Sequence, residues 1–126
     1  MSEMDIAQVA KIVRLKPHTL RYYENIGLIK DVRRNASGHR IYSETDITWL
    51  EFINRLRSTG MKISKMIEYT RLRNLGDETV SERKKILQDH LTAVDAEMKK
   101  LSEVRSYVAM KIDYYSEMEA KLCEQK

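Results

Sequence analysis

The sequence predicts a mainly α-helical protein, a small basic head of short capped helices with one β-hairpin, followed by a single long helix that pairs as a coiled coil. Three observations carry that reading. One proline and four glycines in 126 residues leave too little punctuation for a many-stranded sheet. Ser, Thr or Asp stands three residues before an acid or amide at three helix-starting positions. Finally, the stretch from Thr79 to Leu122 carries neither glycine nor proline, and its apolar residues recur in steps of four and three.

The first element follows from Ile6, Val9, Ala10 and Val13 on one helical face, with Asp5 and Gln8 at capping-box spacing. After Arg14 and Leu15, Pro17 fits the first position of a second helix and Gly27 its end. Two short helices across so tight a turn form a helix-turn-helix, whose second helix enters a DNA major groove. Leu20, Tyr23 and Ile26 take the inner side of that helix. His18, Arg21, Tyr22 and Asn25 point elsewhere, leaving a polar, aromatic and cationic face. Guanidinium and phenol groups suit phosphates and base edges, so Arg21 and Tyr22 are read as DNA contacts and Tyr23 as core.

Residues 32–42, VRRNASGHRIY, place a polar Asn-Ala-Ser-Gly tip between arginine-bearing arms and read as a hairpin that lies along a phosphate backbone. Ser43 and Asp46 open a third helix, with Ile47, Leu50, Ile53 and Leu56 inward. Trp49 and Phe52 widen that apolar face and read as packing rather than base stacking. Gly60 ends the helix. A fourth helix is expected from Ser64 to Leu75, with Ile63, Met66, Ile67 and Tyr69 or Thr70 in the core. Thr79 and Glu82 provide a third capping-box spacing at the start of the long helix.

That arrangement gives two domains, residues 1–76 for nucleic-acid binding and 77–126 for dimerisation. Charge divides the same way: 14 Lys and Arg face 8 Asp and Glu in residues 1–76, against 9 and 11 beyond. A basic segment before a balanced one suits polyanion binding by the first and protein pairing by the second. The pairing stripe comprises Leu87, Leu91, Val94, Met98, Leu101, Val108, Ile112, Tyr115 and Leu122, interrupted by Arg105 and Glu119. Such a stripe on a lone helix needs a partner, and a second copy is the simplest. Both helix directions accommodate the heptads, but Arg105 and Glu119 would each face themselves in a parallel, in-register pair, which favours the antiparallel one.

Several function classes are excluded or disfavoured. No uninterrupted apolar core marks an N-terminal signal, and no run approaches the roughly 18 apolar residues of a membrane span, so a cytoplasmic protein without membrane contact is expected. Cys123 stands alone and no Cys/His cluster has zinc-site spacing, so neither disulfide, metal nor cofactor is expected. No nucleophile and base pair or phosphate-cradling glycine loop suggests an enzyme.

IAQVAK, PHTLRYYENIGLI, the pattern Arg34, Gly38, Arg40, Tyr42 and the helix DITWLEFINRLRSTGMKI together resemble the MerR-type bacterial transcription regulators over the first 76 or so residues. The long helix matches in kind. The resemblance implies a winged helix-turn-helix head, an antiparallel dimerising coiled coil, and a two-fold symmetric inverted repeat in double-stranded promoter DNA within an overlong spacer. Bending and untwisting that spacer would bring the elements read by RNA polymerase into register, so polymerase is an indirect partner through the promoter. Carried over by position, DNA contacts fall on His18, Thr19, Arg21 and Tyr22 in the recognition helix, Arg34 and Arg40 in the wing, and Arg57 and Lys62 after the third helix, with Lys16 expected to add a further contact beside them. Arg14 stands where the family usually has glycine, Lys16 where a Ser or Thr cap is usual, and His39 where a wing tyrosine is common.

The third and fourth helices look most like the short, aldehyde- and electrophile-responsive branch, whose reactive cysteine in the third helix corresponds here to Arg55, which forms no thiolate. Metal-sensing relatives have cysteines at the start of the long helix and beyond its end, where this chain has Thr79 and only Cys123. Drug-sensing relatives carry a large C-terminal domain that this sequence lacks. A small-molecule effector of unidentified chemistry remains open, with Tyr69, Tyr107, Tyr114, Tyr115 and several methionines as candidate pocket residues and His90 as a surface residue. The alternative to a sequence-specific regulator is an architectural DNA-binding protein, sequence-tolerant and without effector.

Overall fold

The computed structural model describes residues 3–125, so Met1, Ser2 and Lys126 of the two expected domains lie outside it. The element order is β1 (Met4–Asp5), α1 (Ile6–Val13), α2 (Pro17–Asn25), β2 (Arg33–Arg34), β3 (Arg40–Tyr42), α3 (Glu44–Ser58), α4 (Ile63–Asn74), a 3-10 turn (Asp77–Thr79) and α5 (Val80–Glu124).

The caps at α1 and α3 form as their sequences require. Asp5 accepts from the Gln8 amide while Gln8 accepts from that of Asp5, and Ser43 and Asp46 repeat the reciprocal pair. Pro17 stands first in α2, and its N-cap Lys16 contributes no side-chain hydrogen bond. Gly27, at φ 85°, closes α2 with Leu28 N–H donating to the Tyr23 carbonyl at 2.8 Å. Arg14 performs the same service for α1 at φ 58° and ψ 43°, with Leu15 N–H reaching the Ala10 carbonyl. That left-handed conformation explains why glycine suits this position, since an L-side chain there is strained by about 1 kcal/mol.

The hairpin has Arg33 opposite Ile41 and Arg34 opposite Arg40. Its Asn35–Gly38 tip is held by the Asn35 carboxamide oxygen, which accepts from the amides of Ser37 and His39. The sheet has one more strand than the sequence suggests. β1 pairs antiparallel with β3, Met4 opposite Tyr42, giving the order β1-β3-β2. Two residues carry no strand periodicity, and only the long-range pairing reveals them.

The head's core gathers Val9 and Val13 from α1, Leu20 and Tyr23 from α2, Leu28, Tyr42, the expected Ile47, Leu50, Ile53 and Leu56 from α3, and Met66, Tyr69 and Leu72 from α4. Trp49 and Phe52 are partly buried against it, and the Trp49 indole N–H donates to the Leu28 carbonyl at 2.7 Å. Asn54 Nδ2 reaches the Val13 carbonyl at the end of α1. Burying each large aliphatic side chain contributes about 1.5–3 kcal/mol, so this cluster dominates the head's stability.

Two details at the start of the long helix depart from the sequence reading. Thr79 forms no capping box, because its hydroxyl turns back to the carbonyls of Leu72 and Gly76 and accepts from Arg83 Nε. It thereby satisfies carbonyls at the end of α4 rather than amides at the start of α5. The compact unit also runs on to Leu87, with Ile86 buried and Leu87 partly buried in the head cluster. Leu87, read as the first residue of the pairing stripe, packs within its own head.

The second unit, from Gln88 onward, is helical through Glu124. Leu91, Met98, Leu101, Val108, Ile112, Tyr115 and Leu122 are all at least half exposed along it, while Val94 is intermediate.

Candidate nucleic-acid interface

The head presents α2 outward beside the hairpin. Leu20 and Tyr23 are fully buried, which fixes the rotation of α2 and forces Lys16, His18, Arg21 and Tyr22 into solvent, with Thr19 at intermediate depth. Between this helix, the start of α1 and the hairpin lies an open cleft of about 410 Å³, lined by Arg21, Arg34, Arg40, Asn35 and His39. One arginine from α2 and two from the hairpin thus line one concavity, with Asp5 its one acid among the described residues, an arrangement suited to a phosphate backbone.

The three arginines are held differently. Arg34 is exposed, and one Nη donates to the Gly38 carbonyl at 3.0 Å, which steadies the tip and leaves its other donors outward. Arg40 donates from Nε to Glu24 Oε1 at 2.6 Å, with side chains only 19% and 24% exposed. This largely desolvated pair ties β3 to the last turn of α2, so the Nε of Arg40, a residue expected to contact DNA, is engaged within the protein. No ion pair holds Arg21 among the described residues.

Arg57 and Lys62 lie outside the cleft. Both are exposed, but one Arg57 Nη donates to the Tyr23 hydroxyl at 2.6 Å and its guanidinium sits 5.7 Å from that ring. Lys62 is the N-cap of α4 and makes no side-chain cap bond. Glu24 escaped the sequence reading, which took the outer face of α2 as polar, aromatic and cationic. Tyr42 anchors the hairpin from below. It is fully buried, its hydroxyl has no partner among the described residues, and burial raises its pKa above 10.0, Glu24 and Asp46 adding to the rise and Arg40 and Arg21 opposing it.

No group of three or more His, Cys, Asp or Glu side chains is arranged to hold a metal ion among the described residues, and none of the helices searched there is long and apolar enough to cross a membrane. Arg55 and Cys123 are both exposed.

This head and cleft define a winged helix-turn-helix DNA-binding protein. The pattern described as MerR HTH family regulatory protein matches residues 4–72, and a second, MerR DNA binding, matches 47–109. The chain is 55% identical over 86 residues to the HTH-type transcriptional regulator AdhR of Bacillus subtilis strain 168, covering 68% of this chain and 61% of that protein's length. It is 33% identical over 124 residues to the uncharacterized HTH-type transcriptional regulator YyaN of the same organism, covering 88% and 90%. In fold it matches HiNmlR, a MerR family regulator lacking the sensor domain, solved bound to promoter DNA, with a TM-score of 0.85 at 24% identity over 94% of each chain. The chain belongs to the MerR family of DNA-binding transcriptional regulators, a family of regulators and not of enzymes.

Proposed function

We propose that the protein acts in the cytoplasm as a homodimer on an inverted repeat in a promoter, bending and untwisting the spacer so that RNA polymerase meets both of its recognition elements in register. The observation that carries the dimer is the exposed apolar stripe of α5, from Leu91 to Leu122. Burying a Leu or Ile against a second copy contributes about 1.5–3 kcal/mol at most, and several per helix are needed to offset the losses of association. Arg105 and Glu119 make an antiparallel pairing the favoured one.

Within each head, Arg21, Tyr22, His18 and Thr19 face the major groove, while Lys16, Arg34 and Lys62 supply phosphate contacts. Arg57 reaches phosphate with the donors that Tyr23 leaves free, and Arg40 acts chiefly by holding the wing against α2. Bending a site of this kind costs on the order of 1–6 kcal/mol, which two heads contacting DNA together can offset. Thiol-based sensing through α3 has no cysteine at Arg55 to use.

Leu101→Glu tests the reading. Sedimentation should show dimer becoming monomer, energy transfer between dyes at the ends of a promoter duplex should no longer report bending, and the thermal melting of the head should be retained. A Leu101→Glu protein that stays dimeric and bends DNA as before overturns the proposal.

A further inference from the structure

On the head, α3 and α4 enclose a second open cavity, of about 550 Å³, lined by Trp49, Phe52, Tyr69, Thr45, Thr48 and Arg73, with Glu44 the one acid beside them. Its size is that of a small-molecule site. Trp49 and Tyr69 lie nearly parallel, their planes 14° apart with centroids at 6.0 Å, and Phe52 tilts against both at 5.8 Å. The bond from the Trp49 indole to Leu28 holds the central ring of this aromatic cluster. Among the described residues the Thr45 and Thr48 hydroxyls, the Tyr69 phenol and the Arg73 guanidinium make no side-chain hydrogen bond or ion pair with protein, so the aromatic cavity carries unclaimed donors.

The sign of charge follows from Arg73. Its guanidinium carbon stands 4.2 Å from the centre of the Trp49 ring, where a cationic ligand would otherwise bind. The ring face is already served by a cation, and that cation has no carboxylate partner among the described residues. We infer that this cavity binds a planar aromatic anion, its ring beside Phe52 and Tyr69 and its carboxylate on Arg73, which keeps the Trp49 face. A bidentate guanidinium–carboxylate contact joined to stacking fits that class of ligand, and neither an aliphatic acid nor a quaternary ammonium satisfies both halves of the site.

The single tryptophan of the chain provides the probe. The indole N–H resonance of Trp49 in the whole protein, without DNA, is followed while 1-naphthoate, neutral 1-naphthalenemethanol or tetramethylammonium is added. Naphthoate should shift it saturably, with a dissociation constant of about 0.1–1 mM for a ligand of this size. Arg73→Gln should weaken naphthoate about tenfold and leave the alcohol within about twofold, while Phe52→Leu should weaken both. Amide spectra of the two variants establish that they are folded. No saturable shift, equal binding of acid and alcohol, or a response to tetramethylammonium would overturn the inference. A resonance that moves on dilution and ignores naphthoate also overturns it, assigning the face to a second copy. Because no DNA is present, the outcome is separate from that of the promoter-bending proposal.

Discussion

Replacing Arg40 with Gln separates a phosphate ligand from a structural strut. Arg40 and Glu24 meet at 2.6 Å with most of both side chains out of water. A hydrogen bond between charged groups in such a setting contributes about 1.5–3 kcal/mol, and leaving Glu24 without its cation adds a desolvation term. Water still reaches Glu24 and Gln keeps a neutral donor, so the net loss should be about 1–2 kcal/mol, a fall of roughly 4–8 °C in melting temperature for a chain of this length. Melting is compared at one protein concentration, because a dimer's midpoint moves with concentration. DNA affinity is then measured across a salt series. Each phosphate contact adds about 0.9 to the slope of log affinity on log salt, so Arg34→Gln should reduce that slope by about 1.8 for a dimer. Arg40→Gln should lower affinity through a displaced wing while leaving the slope nearly unchanged. A slope reduced by about 1.8 with unaltered melting would refute this reasoning and make Arg40 a phosphate ligand after all.

Two further substitutions probe the scaffold. Arg14→Gly relieves a left-handed residue, offset in part by glycine's greater unfolded freedom, and should raise the unfolding free energy by up to about 0.5 kcal/mol, read as a higher urea midpoint with an unchanged m-value. Tyr42→Phe removes a buried hydroxyl without a protein partner and should raise stability by about 1 kcal/mol in urea melts at neutral pH. Its pH signature is opposite to that of a salt-bridged acid. Below pH 10 folded and unfolded phenols both hold their proton, whereas above it the unfolded phenol ionises first because burial raises the folded pKa, so parent stability falls. The variant should lack that share of the alkaline loss; identical profiles would contradict the assignment.

Much of this molecule is legible locally because its signals are local. Asp5 with Gln8, Ser43 with Asp46, and Gly27 and Gly60 each act within one helical turn, so spacing alone predicts the ends they make. The buried rows of α2 and α3 follow from periodicity in the same way. Elements that depend on distant partners are different. β1 exists because Met4 meets Tyr42, and Arg40 Nε is engaged because Glu24 lies sixteen positions earlier on another element. Thr79 has a good capping sequence, but its hydroxyl finds carbonyls at the end of α4 first. Leu87 fits the heptads yet packs into the head, since α5 begins inside that core before its exposed stripe starts.

The most direct measurement is selection of bound fragments from the source genome by the purified protein, at two salt concentrations and with Arg21→Ala alongside. Sequence-specific binding predicts one inverted repeat within a promoter, retained at the higher salt and lost with Arg21→Ala, whose affinity for it should fall tenfold or more, roughly 1.4–3 kcal/mol. Recovery of unrelated fragments that vanish together as salt rises, with Arg21→Ala behaving like the parent, would contradict it and leave an architectural DNA binder.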